Sequence, residues 1–161
     1  QQPIKMPNLE VALYIKTPEH AAVQKSGTAY IRILNGEAEK IEYTLTSSDG
    51  KINIGREKQA QDSDGFIRVN NIAFPDSSTN QCNKYISRQH AHIEWNNDAA
   101  AFMLFADDGG VPPRNKVKIR SVKDHNSVKL TFTELGHALH EGDQIILGES
   151  AVLEFSYHSN Q

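Results

Sequence analysis

Tyr85-Ile86-Ser87-Arg88-Gln89-His90-Ala91-His92-Ile93-Glu94-Trp95 opens as a polar turn carrying a hydroxyl and a guanidinium, then runs straight into alternation. His90, His92 and Glu94 fall on one face, and Ala91, Ile93 and Trp95 on the other. Period two over this length predicts a half-buried β-strand whose apolar face meets a core. Ser87 and Arg88 then sit in a loop at the end of a rigid strand, where binding residues tend to be placed. Upstream, Ile52-Asn53-Ile54-Gly55-Arg56-Glu57 reads as a second such junction, a short strand ending in Gly-Arg.

The rest of the chain reads as strands around this pair. Ala29, Ile31 and Ile33 alternate with polar neighbours, and Asn35-Gly36 has the composition of a tight hairpin turn. Ile41, Tyr43 and Leu45 form the next apolar face, and Asp49-Gly50 a second tight turn, so the segment reads as a meander. Downstream, Asn96-Asn97-Asp98 turns the chain into Ala101–Ala106, a buried strand. Val117 and Ile119 face inward while Lys116, Lys118 and Arg120 face out. Val128, Leu130 and Phe132 make another strand, and Ile145, Leu147, Leu153, Phe155 and Tyr157 a closing pair. Between Arg56 and Tyr85 the composition is mostly that of a long polar loop, with a short strand somewhere in Phe66 to Phe74. Many short strands and no long helical pattern predict an all-β protein, an antiparallel β-sandwich.

Residues 1–27 read separately, as an accessory strand (Leu9 to Ile15) followed by a short helix. Thr17-Pro18-Glu19 supplies its N-cap, first-turn proline and acid, and Gly27 its stop. The division expected is an N-terminal extension over 1–27 and a sandwich domain over 28–161.

A chain of 161 residues with 38% hydrophobic and 23% charged residues can bury a core, which argues against disorder. Its net charge of −3 gives no global attraction to nucleic acid or to an acidic membrane surface, so any anion site must be built locally. No apolar run spans a membrane, and the single Cys82 excludes an internal disulfide and suits a reducing, cytoplasmic setting.

Gly55-Arg56, Ser87-Arg88-Gln89-His90, the ending Glu141-Gly142-Asp143-Gln144-Ile145-Ile146-Leu147-Gly148 and the following Leu153-Glu154-Phe155 appear in the order of one known pattern. The set resembles the forkhead-associated (FHA) domain, a phosphothreonine-peptide-binding β-sandwich, over roughly Ile41 to Tyr157. The resemblance implies that Arg56 grips the phosphate from one loop and Ser87 from the next, with Arg88 as a further basic contact. Lys58 is another candidate of that kind. It implies structural roles for Gly55, which gives the backbone room, and for His90, which orients the serine loop. The family's Asn-Gly pair, whose asparagine holds the peptide backbone, has its best match in Arg114-Asn115-Lys116-Val117. Asn115 fits, lysine replaces the glycine, and Arg114 either enriches the anion site or belongs to a loop reshaped by Pro112-Pro113.

The chemistry suits such a ligand. A phosphorylated threonine carries about −1.5 to −2 charges and three strong acceptors, and a planar guanidinium can donate two bonds to one phosphate. The plain alternative for each cation is a solvated loop residue, which weighs about evenly for Lys58 and much less for Arg56 together with Ser87. A phosphate-independent interaction module on the same fold is the second reading. A hydrolase built on Ser87, His90 and Asp107 or Asp108 is a third, without a nucleophile elbow to support it. A metal held by His90 and His92, with His137 and His140 as a second pair, lacks a completing ligand set. The expected protein is therefore a non-catalytic module without a cofactor. Its partner would be a phosphothreonine-containing protein downstream of a Ser/Thr kinase, with no nucleic acid or membrane involved.

Overall fold

The computed structural model describes residues 27–75, 83, 85–107, 117–123, 125–130, 136–148 and 150–158. Within them two sheets pack face to face. One has six strands, in the order Ser127–Leu130, Val117–Arg120, Gln144–Leu147, Ala151–Ser156, Thr28–Asn35 and Glu42–Thr46, and the other five, in the order His137–Ala138, Ala101–Ala106, Ala91–Asn96, Ile52–Arg56 and Ile72–Phe74. In the six-stranded sheet these are Thr28–Asn35 (β1), Glu42–Thr46 (β2), Val117–Arg120 (β9), Ser127–Leu130 (β10), Gln144–Leu147 (β12) and Ala151–Ser156 (β13). In the five-stranded sheet they are Ile52–Arg56 (β3), Ile72–Phe74 (β6), Ala91–Asn96 (β7), Ala101–Ala106 (β8) and His137–Ala138 (β11). Gln59–Asp62 (β4) and Gly65–Val69 (β5) form a separate hairpin. The N-terminal strand and helix expected before Gly27 lie outside the described residues.

The alternation that predicts strands also decides what is buried. Ile31, Leu45, Ile54, Ile93, Phe102, Leu104, Ile145 and Phe155 are all 0 or 1% exposed and meet between the sheets. Phe102 anchors an aromatic cluster, edge-on to Trp95 at 5.0 Å and to Phe155 at 6.0 Å, arrangements that suit the ring quadrupoles. Among the described residues every strand pairing is antiparallel except that of β3 and β6, which run parallel with Arg56 beside Phe74.

Several expectations need correction. Asn35-Gly36 is no two-residue hairpin, because β1 stays paired to β13 as far as Asn35 and the connection to β2 runs on past it. Asn35 instead donates its side-chain amide to the Ser150 carbonyl, and buried Asn83 grips Glu37 through both its backbone N–H and its carbonyl. Ile41 belongs to that connection and is 70% exposed. Asp49-Gly50 does turn tightly, with the Asp49 carboxylate accepting from the Thr46 N–H at 2.8 Å. The turn carries the chain from one sheet to the other, so the segment is not a meander. Val128 and Leu130 do lie on an edge strand, where Val128 is 44% exposed and Leu130 buried, and Phe132 lies outside the described residues. After Arg56 the strand expected within Phe66 to Phe74 is present, but among the described residues this stretch holds three strands, β4, β5 and β6, and not one.

Candidate phosphopeptide site

Sheet topology brings the two decisive motifs together. β3 and β7 are antiparallel neighbours, with Ile54 opposite Ala91, so the end of one strand meets the start of the other. Arg56 closes β3 instead of lying in a free loop, and Ser87-Arg88-Gln89-His90 leads directly into β7. The two are bonded: the Arg56 N–H donates to the Ser87 carbonyl at 2.9 Å, and the His90 N–H to the Ile54 carbonyl at 3.2 Å.

His90 does not share the half-exposed face of His92 and Glu94, as alternation suggested, but is fully buried. Its Nδ1 accepts the Ser87 N–H at 3.0 Å, which closes the turn and leaves the ring proton of the neutral imidazole on Nε2. Asp107, the aspartate considered for a catalytic triad, bonds His92 Nδ1 at 2.8 Å and Arg68 Nη1 at 2.7 Å. Asp108 lies outside the described residues. Among the described residues no group of three or more potential ligands could hold a metal ion, and no helix is long and apolar enough to cross a membrane.

Gly55 has a strict steric reason. A Cβ there would stand 2.5 Å from the Arg88 carbonyl oxygen and 2.9 Å from Asn70 Nδ2. The backbone of the serine loop and a side chain from β5's end thus lie directly on the glycine. Glu57, the next residue after Arg56, takes a left-handed φ of 68°. This is a conformation that costs a non-glycine residue energy unless its surroundings hold it. Its N–H donates to the Phe74 carbonyl at 3.0 Å, and its carbonyl accepts from Asn70 at 2.8 Å.

Asn70 is the residue that sequence reasoning missed. Fully buried, it directs Nδ2 at the carbonyls of Arg56 (3.3 Å), Glu57 (2.8 Å) and Arg88 (3.0 Å). One amide therefore ties both candidate phosphate-binding segments together. Its Oδ1 accepts from Arg68 Nε at 3.0 Å, which fixes the orientation of the amide. Arg68 also donates to the carbonyls of Ile54 and Ala91 and pairs with Asp107, so it bolts the hairpin to β3, β7 and the end of β8. The Asp107 carboxyl is pushed up by burial, but the bonds from His92 and Arg68 outweigh this and hold it below the ordinary aspartate range. The available signal was Arg68-Val69-Asn70, polar residues two apart in a stretch with strand alternation.

Of the remaining candidates, Arg88 sends Nη1 to the Gln61 carbonyl of β4 and so reaches the hairpin. Lys58 is exposed, its carbonyl accepting the Asn70 N–H at 2.8 Å. Arg114, Asn115 and Lys116 lie outside the described residues, as do Pro112 and Pro113.

A family model described as the FHA domain matches residues 52–148. No curated protein sequence matches the chain. Among solved structures, the chain is similar to the FHA domain of an Arabidopsis thaliana hypothetical protein. Identity is 19%, coverage 84% of this chain and 89% of that one, and the TM-score 0.55. It is also similar to full-length yeast Pml1p, at 18% identity, covering 80% of this chain and 81% of that one with a TM-score of 0.52. At such identities the structural likeness speaks for the fold alone.

Proposed function

The chain belongs to the FHA domain family, whose members are non-catalytic modules that bind phosphorylated proteins, and on that premise we propose that it recognises a phosphothreonine-containing segment of a partner protein. The observation carrying the proposal is the direct bond between the two motifs, Arg56 N–H to Ser87 carbonyl. It supports a site in which a guanidinium and a hydroxyl from adjacent strand ends meet one phosphate. Arg56 and Ser87 are the primary contacts, with Arg88 and Lys58 as accessory cations. Asn115 would hold the peptide backbone and Arg114 would add charge, as the family resemblance implies. His90, Gly55 and Asn70 position these groups. The chain performs no chemistry on its ligand, needs no cofactor, and acts downstream of a Ser/Thr kinase.

Calorimetry with a phosphothreonine peptide library pool and its unphosphorylated copy tests this. The phosphorylated pool should bind and the unphosphorylated one should not. Charge-assisted hydrogen bonds contribute about 1.5–3 kcal/mol each, so Arg56→Ala should weaken binding by tens of fold or more. Equal binding of both pools would favour a phosphate-independent module, and equal binding by Arg56→Ala would move the site elsewhere.

A further inference from the structure

The β4–β5 hairpin stands outside both sheets, yet it is fastened to the candidate site at several points. Its inner side carries Ala60, fully buried, opposite Arg68, which reaches Asp107 and two strand carbonyls. Its base is held by Asn53, whose Nδ2 donates to the Val69 carbonyl at 3.1 Å. Its far end is held by Arg88, whose guanidinium donates to the Gln61 carbonyl. Gln61 lies directly opposite Phe66 in the hairpin register. A chain of contacts therefore runs from Ser87 through its neighbour Arg88 to Gln61 and Phe66.

Outward this arm presents two apolar side chains, Phe66 and Val69, across from exposed Gln61 and Gln59. Phe66 is 63% exposed and Val69 44%, against a tip made of Asp62 and Asp64. An aromatic 63% exposed on a two-stranded hairpin contributes little to the core and leaves most of a large ring face open to a ligand side chain. Proximity to Ser87 through Arg88 makes the occupant a neighbouring part of the same ligand.

We propose that the outer side of the β4–β5 hairpin is a second contact surface for the phosphopeptide: it takes an apolar side chain near the phosphothreonine against Phe66 and Val69, with Arg88 positioning the hairpin. Asp62 and Asp64 favour a basic residue next to that apolar one. The proposal rests on the phosphothreonine reading of the site.

Fluorescence anisotropy with a set of labelled phosphothreonine peptides would test it, scanning leucine against alanine, and lysine beside it, at each flanking position. The unsubstituted protein should prefer leucine at one or two positions by about five- to tenfold, the effect of partly burying one apolar side chain. Phe66→Ser, an exposed position where the fold should be kept, should erase that preference while leaving affinity for the alanine peptide unchanged. Arg56→Ala should weaken every peptide alike. Arg88→Ala should reduce the leucine preference beyond any general loss of affinity. If Arg56→Ala loses binding while Phe66→Ser keeps the full preference, or no preference exists, the hairpin surface is refuted and the phosphate site stands. If phosphorylated and unphosphorylated peptides bind alike, both fall together.

Discussion

Gly55 and Arg88 stand in backbone contact across the two motifs, so near that a single methyl group at position 55 would press on the Arg88 carbonyl oxygen at 2.5 Å. The obstacle is backbone, not a flexible side chain, and Asn70 on the same glycine blocks a sideways escape. The pair shows why a glycine precedes the arginine: the serine loop is laid over β3 there.

Gly55→Ala should therefore destabilise the domain by about 1–3 kcal/mol, the usual range for overpacking a close contact. It should also weaken phosphopeptide binding, because the displaced Arg88 backbone carries Ser87 with it. Urea denaturation and peptide titration of the same variant read the two effects separately. An unchanged denaturation midpoint would show that the loop yields without cost.

Asn70→Ala should leave the carbonyls of Arg56, Glu57 and Arg88 without their shared donor. Buried acceptors left unsatisfied cost about 1–3 kcal/mol each, less where water enters. Asn70→Asp should be worse than alanine near neutral pH, since it would turn a carboxylate oxygen towards those three carbonyls. Hydrogen exchange at Arg56 and Ser87 should accelerate in both variants. Exchange that stays as slow as in the parent would remove Asn70 from this role.

Asp107 makes acid stability predictable in sign. Burial raises its pKa, but the bonds from His92 and Arg68 bring the folded value below the ordinary one. A carboxyl with a lowered folded pKa contributes stability that is complete above its unfolded value, about 4. That contribution is lost as pH falls through the lower folded value. Asp107→Asn should thus be less stable than the parent at neutral pH, with the gap narrowing as the pH falls below about 4. Parallel denaturation curves over that range would contradict the assignment.

Affinity for a phosphothreonine peptide should have its own, higher pH window. The second ionisation of the phosphate falls at about pH 6, whereas a guanidinium keeps its charge throughout. Binding should weaken as pH drops through that value while circular dichroism still reports a folded protein. A flat affinity profile from neutral to mildly acid pH would argue against recognition of the dianion.

Much of this protein was legible from alternation alone. Ile54, Ile93, Phe102 and Phe155 lie where a period of two places them, because one face of each strand must meet the opposite sheet. The motifs at Gly55-Arg56 and Ser87 to His90 were legible because each ends or begins such a strand. Alternation fails where a side chain's fate depends on a partner far away in sequence. His90 has a polar pattern position but is buried, since its imidazole bonds the Ser87 N–H. Arg68 and Asn70 fall in the stretch read as a short strand, at polar positions whose partners, carbonyls on β3 and the serine loop, no local pattern names. The sheet change at Asp49-Gly50 leaves no local mark, because the turn itself would suit a hairpin equally well.

The parallel pairing of β3 and β6 constrains how this chain could vary. Antiparallel neighbours can be joined by two residues, whereas parallel ones need a return path of about a dozen or more. Here the return runs from Glu57 to Asn71 and is occupied by β4 and β5. Some overhang beside Arg56 is then a topological obligation, and Arg68 and Asn70 are the part of it bonded back to the sandwich. Trimming the hairpin to a tight turn would cost β6 its place beside β3, with Phe74 leaving the core. Replacing its outward residues would leave that pairing untouched. Loop grafting in this protein should accordingly respect length here, since length holds β6 in place, while changes at the exposed positions act on the ligand and not on the fold.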